Sequence, residues 1–142
     1  MLVAEILKTK GDAVFTLAPG ATVAEAAAQL VQRQVGALIV CDGDRVAGVL
    51  SERDIVRALA REGAEALTQP VSAHMTAKVI FAEPGEGADV LMGRMTDRRI
   101  RHLPVMKDGR LCGVISIGDV VKCQIDEATR EAESLKSYIG AG

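Results

Sequence analysis

The chain has 142 residues, 49% hydrophobic and 25% charged, the proportions of one folded globular domain rather than a disordered segment. Seventeen Lys and Arg against nineteen Asp and Glu leave a net charge of −2, too balanced for a general footprint on nucleic acid or an anionic membrane. Aromatic content of 2%, with no Trp, removes base-stacking platforms, so the core is aliphatic and any anion site is local.

At this length roughly 68–70% of the unfolded surface can leave water, so no metal or disulfide staple is required. The odd count of cysteines, Cys41, Cys112 and Cys123, without CxxC spacing, fits reduced thiols and a cytoplasmic setting. Met1 to Lys10 mixes Glu5, Lys8 and Lys10 with apolar residues, and no stretch approaches the roughly 18 apolar residues of a membrane span. No signal peptide, anchor or membrane partner is expected.

Shifting the sequence by 65 residues aligns Val14–Arg57 with Val79–Lys122 without a gap, and 12 of the 44 positions are identical. That is an internal duplication. In the first copy, Ala13 to Leu17 predicts a strand ended by the Pro19-Gly20 turn. Thr22 to Gln34 predicts a helix opened by the capping box Thr22-x-x-Glu25. Ala37 to Cys41 and Arg45 to Leu50 predict a hairpin around Asp42-Gly43-Asp44, followed by a helix from about Glu52 to Arg61. Gly63, Thr68, Gln69 and Pro70 mark the linker.

The second copy repeats the order. Its strand is Lys78 to Ala82, its helix Ala88 to Arg99, its hairpin His102 to Met106 and Arg110 to Ile115 around Lys107-Asp108-Gly109. Each copy reads β-α-β-β-α. A unit of some 60 residues makes a thin core alone, so the α+β (α/β) expectation is two pseudo-symmetric repeats packed sheet to sheet as one module. The sequence divides into residues 1–66, a first repeat with its lead-in helix, and 67–142, a second repeat with an extended terminal helix. The lead-ins are Val3-x-x-Ile6-Leu7 and Val71-x-x-His74-Met75. The last helix, from about Asp119 to Ile139, spaces Val121, Ile125, Ala128, Ala132, Leu135 and Ile139 by three or four, leaving an apolar stripe for a partner.

Gly48-Val49-Leu50-Ser51-x-x-Asp54 and Gly113-Val114-Ile115-Ser116-x-x-Asp119, with Arg101-His102-Leu103-Pro104-Val105 before the Asp108-Gly109 turn, resemble a tandem pair of CBS domains, the repeat named after cystathionine β-synthase. The resemblance covers nearly the whole chain. It implies a standalone regulatory module, a flat homodimer whose clefts take adenosine ligands such as AMP, ATP, NAD(H) or S-adenosylmethionine. No required cofactor and no enzymatic activity are implied, and the regulated partner would be an enzyme or transporter.

From spacing alone, Ser51-x-x-Asp54 and Ser116-x-x-Asp119 are helix caps closed by an acidic residue. With the resemblance, each Asp becomes an acceptor for both hydroxyls of a ribose, while Ser and the helix-start amides suit a phosphate. Arg101 and His102 stand at the mouth of a strand, as solvated ends or as an anion clamp; their counterparts Gly36 and Ala37 carry no charge. Arg53 is an exposed helix-start residue or reaches the phosphate of the Asp119 cleft. Val79, Ile80 and Ile117 are core residues or walls for a base. The resulting expectation is a main cleft of Arg53, Lys78, Val79, Ile80, Arg101, His102, Leu103, Pro104, Ser116, Ile117 and Asp119. A weaker cleft comprises Thr16, Ala37, Leu38, Ser51 and Asp54. Arg94, Arg98, Arg99 and Arg101 form the densest positive patch, in which Arg94 and Arg98 share a helix face, and it reads as a solvated charged face. His74 and His102 lack ligand spacing, so no metal is expected, and no GxSxG, Walker or GxGxxG motif points to catalysis.

Overall fold

The computed structural model describes residues 1–141. In chain order the elements are α1 (Val3–Lys10), β1 (Thr16–Leu17), α2 (Val23–Arg33), β2 (Ala37–Asp42), β3 (Arg45–Ser51), α3 (Glu52–Glu62), α4 (Ala88–Arg98), β4 (His102–Lys107), β5 (Arg110–Ser116) and α5 (Ile117–Ala141). Two short 3-10 segments, Gly63–Thr68 and Val71–Ala73, occupy the linker and the second lead-in.

The duplication is reproduced in backbone detail. In each hairpin the antiparallel register slips by one residue at the same place, between Val40 and Cys41 and between Val105 and Met106. Helices α2 and α4 both end on a non-glycine residue in the left-handed region, Gln34 at φ 56° and Arg99 at φ 54°. The capping boxes form as the sequence requires: Glu25 N donates to Thr22 Oγ1 at 3.1 Å, and Asp54 N and Asp119 N donate to the Ser51 and Ser116 hydroxyls at 3.3 and 3.1 Å.

The copies differ at their first strands. β1 pairs in parallel with β2 through Thr16 and Leu17, and Ile39 N donates to Phe15 O at 3.2 Å. The expected second-copy strand over Lys78 to Ala82 shrinks to one bridge, Ala82 with Val105. The reason is a single residue. Ile39 corresponds to Pro104, which has no N–H to offer Ile80, so that rung of the ladder cannot form.

The core is built by exchange of the lead-ins. Val3, Ile6 and Leu7 of α1 are buried with Ala82, Leu91, Leu103, Val105 and Ile115 of the second copy. Conversely, Val71 and Met75 pack with Val23, Leu38, Val40 and Leu50 of the first. Each lead-in rests on a strand glycine. A Cβ on Gly113 would lie 2.7 Å from Leu7 Cδ2, and one on Gly48 would lie 2.6 Å from Met75 Sδ. On β2, Leu38 and Val40 point into this core, yet the intervening Ile39 is also buried, as is its counterpart Pro104 on β4. Both faces of each sheet are therefore covered, and the architecture is two pseudo-symmetric α/β repeats.

Candidate functional site

The end of β3 and the first turn of α3 place Asp54 at the bottom of a cleft of about 250 Å³ formed by both repeats. At 6% exposure Asp54 is the only buried charged residue among those described. Its Oδ2 accepts from Ser51 N at 2.9 Å and Ser51 Oγ at 3.1 Å, and Oδ1 accepts from Arg57 Nη1 at 3.3 Å. The capping role is thus real, and the carboxylate also lines the cleft.

One wall follows from the lead-in exchange. Val49 N donates to Thr76 O at 3.0 Å and Thr76 N to Val49 O at 2.9 Å, which lays Lys78, Val79 and Ile80 alongside β3 of the other copy. The opposite wall is the end of α4 and the start of β4, with Arg99, Ile100, Arg101 and His102. Gly36 lets the walls approach: a Cβ there would lie 3.1 Å from both His102 Nε2 and Glu52 Oε1.

The cleft is cationic in an acidic chain. Arg53, Arg57, Lys78, Arg99 and Arg101 face Glu52 and Asp54, an excess of three positive charges where the whole sequence carries −2. Arg57 is paired with Asp54; Arg53, Lys78, Arg99 and Arg101 make no ion pair among the described residues. Burial holds His102 below the usual imidazole value, aided by Lys10 and Arg101, against the pull of Glu52 and Asp119. It is a neutral ring at pH 7.

The structure groups the expected residues differently from the sequence reading. Arg53, Lys78, Val79, Ile80, Arg101 and His102 come together, but around Ser51 and Asp54 rather than Ser116 and Asp119. The hydrogen-bonded pair Val49 and Thr76 is the cause. Leu103 and Pro104 are buried in β4, and Ile117 lines an adjoining groove shared with Arg53, Arg99 and Arg101. Thr16 is exposed on β1, Ala37 is half-buried and Leu38 lies in the core; none of the three lines the cleft.

Asp119 instead meets a residue the sequence reading did not single out. Lys10 Nζ donates to Asp119 Oδ2 at 2.6 Å, and Ser116 N to the same oxygen at 2.8 Å. Burial pushes this carboxyl up, but Lys10 and Ser116 outweigh it and hold it below the usual carboxylate range. Arg57, Glu52 and Gly36 were also missed, and Arg99, read as part of a solvated patch, lines the cleft. The left-handed turn at Arg99 turns its side chain toward the cleft, whereas Arg94 is tied to Glu86 and to Phe81 O at 2.8 Å. No group of three metal-ligating side chains occurs, and no helix is long and apolar enough to cross a membrane, among the described residues.

Two repeats sharing one strand-glycine, Ser-x-x-Asp and lead-in pattern define a class of duplicated α/β module, and the comparisons give its family. The family model for the CBS domain matches residues 3–61 and 71–126, so the chain belongs to the CBS-domain family as a tandem pair. It is 34% identical to the Arabidopsis thaliana mitochondrial CBS domain-containing protein CBSX3, over 99% of this chain and 72% of that one. The crystal structure of the CBS-domain protein ATU1752 from Agrobacterium tumefaciens has a TM-score of 0.86 at 43% identity, covering 87% of this chain and 99% of that one. The Pyrobaculum aerophilum protein PAE2072, solved with AMP, has a TM-score of 0.74 at 30% identity, covering 84% and 89%. The CBS pair of MJ0100, solved with 5′-methylthioadenosine and S-adenosyl-L-methionine, has a TM-score of 0.80 at 25% identity, covering 89% and 98%.

Proposed function

We propose that this chain is an adenosine-nucleotide-binding regulatory module. Asp54 accepts the ribose hydroxyls, Val79 and Ile80 flank the base, and Arg53, Lys78 and Arg101 hold the phosphate. The observation that carries this reading is the buried Asp54 carboxylate facing four cations without ion-pair partners in one cleft. The Pyrobaculum relative with AMP supports it. The charge of the cleft favours AMP, ATP or NAD(H) over S-adenosylmethionine, whose sulfonium would meet an excess of positive charge. No cofactor is required and the role is binding rather than turnover. The ligand acts by altering the relation of the two halves, or of a homodimer, and so a partner enzyme or transporter, in proportion to its differential affinity for the two states. The three free thiols fit a reducing, cytoplasmic setting.

The test is a thermal-shift panel. AMP, ATP or NAD(H) at about 100 times its dissociation constant adds about 2.7 kcal/mol of stability and raises Tm, while S-adenosylmethionine leaves it unmoved. No shift with any nucleotide favours a second reading, a ligand-independent oligomerisation or interaction protein. That reading rests on the stripe of α5, where Val121, Ile125, Leu135 and Ile139 are all exposed, Ile125 at 60%.

A further inference from the structure

Helix α5 presents two opposite faces. At its root Val120 and Cys123 are buried in the second core, and the Met1 ammonium pairs with Glu127 at 2.6 Å. On the far side Val121, Ile125, Ala128, Ala132, Leu135 and Ile139 are all exposed. Their spacing alternates four and three residues without a break, a heptad seam with Ile125, Ala132 and Ile139 at a and Val121, Ala128 and Leu135 at d. Beyond the root the helix leaves the body. Every residue from Ala128 to Gly140 is exposed, about 20 Å of helix at 1.5 Å per residue. A lone helix of that length is marginal in water, so these turns need a partner on their apolar seam.

We propose that the partner is the same helix of a second copy, parallel and in register, so that two chains join through a two-stranded coiled coil of α5. The charges beside the seam select both the occupant and its direction. Glu131 stands at g and Lys136 at the following e, and a parallel pair sets each Glu131 beside the partner's Lys136, twice by symmetry. An antiparallel pair, in which a faces d, sets Lys122 against the partner's Lys136 and Glu131 against the partner's Glu131. Like charges then meet in both places, which disfavours that arrangement. Ile at a with Leu at d is also the choice that favours two strands. Parallel pairing puts both bodies at the same end of the coil, with the α5 roots adjacent. It is independent of the nucleotide reading, since no residue of the seam lines the Asp54 cleft.

Light scattering and disulfide trapping on the full chain test the coil. Wild type is expected to have twice the mass of one chain, and Ile125→Glu combined with Leu135→Glu, both at exposed positions, the mass of one. Leu135→Cys oxidised with glutathione disulfide is expected to run as a covalent dimer on a non-reducing gel, and wild type is not. In the parallel pair the two introduced thiols face each other; in an antiparallel one they lie about 15 Å apart along the axis, out of disulfide reach. A monomeric wild type, or a dimer that survives the double Glu substitution, overturns the proposal. So does a Leu135→Cys that fails to crosslink, or that crosslinks only when mixed with Ile125→Cys. Titration of AMP into the same variants reads the cleft separately, and a failure there leaves the coil standing.

Discussion

Asp54 serves two ends with one carboxylate. It satisfies the Ser51 amide at the start of α3, and beside Arg57 it also lines the cleft. The capping box was legible from Ser51-x-x-Asp54, because N-terminal capping is local. The neighbours that share its cleft were not, since Lys78 and Arg101 join that cleft only through the tertiary fold. His102 gives a pH prediction at this scale. Its folded pKa is lowered by burial, so below about pH 6.5 the unfolded chain binds the proton more readily than the folded one. Stability attributable to His102 is present above that value and is lost as pH falls through it. Urea unfolding at pH 7.5 and 5.5 should show a larger loss in wild type than in His102→Gln; equal losses would contradict it.

At the scale of elements, the exchanged lead-ins tie the repeats together. Gly48 and Gly113 are strand positions where a side chain would occupy the space of Met75 or Leu7. The two are not equivalent. A Cβ on Gly48 also lies 2.9 Å from the Thr76 backbone oxygen, while that on Gly113 meets only the flexible end of Leu7. Gly48→Ala is therefore expected to cost about 1–3 kcal/mol, as overpacking does, and Gly113→Ala less, because Leu7 can turn aside. Denaturant midpoints of the two variants check the order, and a Gly113→Ala cost equal to or above that of Gly48→Ala would refute it. Periodicity and caps placed every helix and both hairpins to within a few residues. They could not show that Val3 and Leu7 belong to the second core, because an apolar pattern says that a face is buried, not against what. The missing strand at Lys78 to Ala82 was in principle readable, since Pro104 stands where Ile39 donates its N–H.

At the scale of the whole molecule, duplication followed by exchange explains why the cleft is asymmetric. The repeat supplies two equivalent Ser-x-x-Asp turns. The second copy's cations, Arg99 and Arg101 at the end of α4, are then turned toward the first copy's Asp54. The 65-residue offset revealed both turns, but it left Arg101 and His102 with Asp119 of their own copy, and the contact of Val49 with Thr76 brings them to the cleft of Asp54 instead. Which carboxylate would hold the proposed nucleotide is therefore the sharpest question for this protein. Calorimetric titration of AMP into wild type, Asp54→Asn and Asp119→Asn answers it. The expected result is a weakening of roughly 5- to 150-fold in Asp54→Asn, the loss of about 1–3 kcal/mol of hydrogen bonding, with no weakening in Asp119→Asn. Unchanged affinity in Asp54→Asn, or its loss in Asp119→Asn alone, would contradict the account.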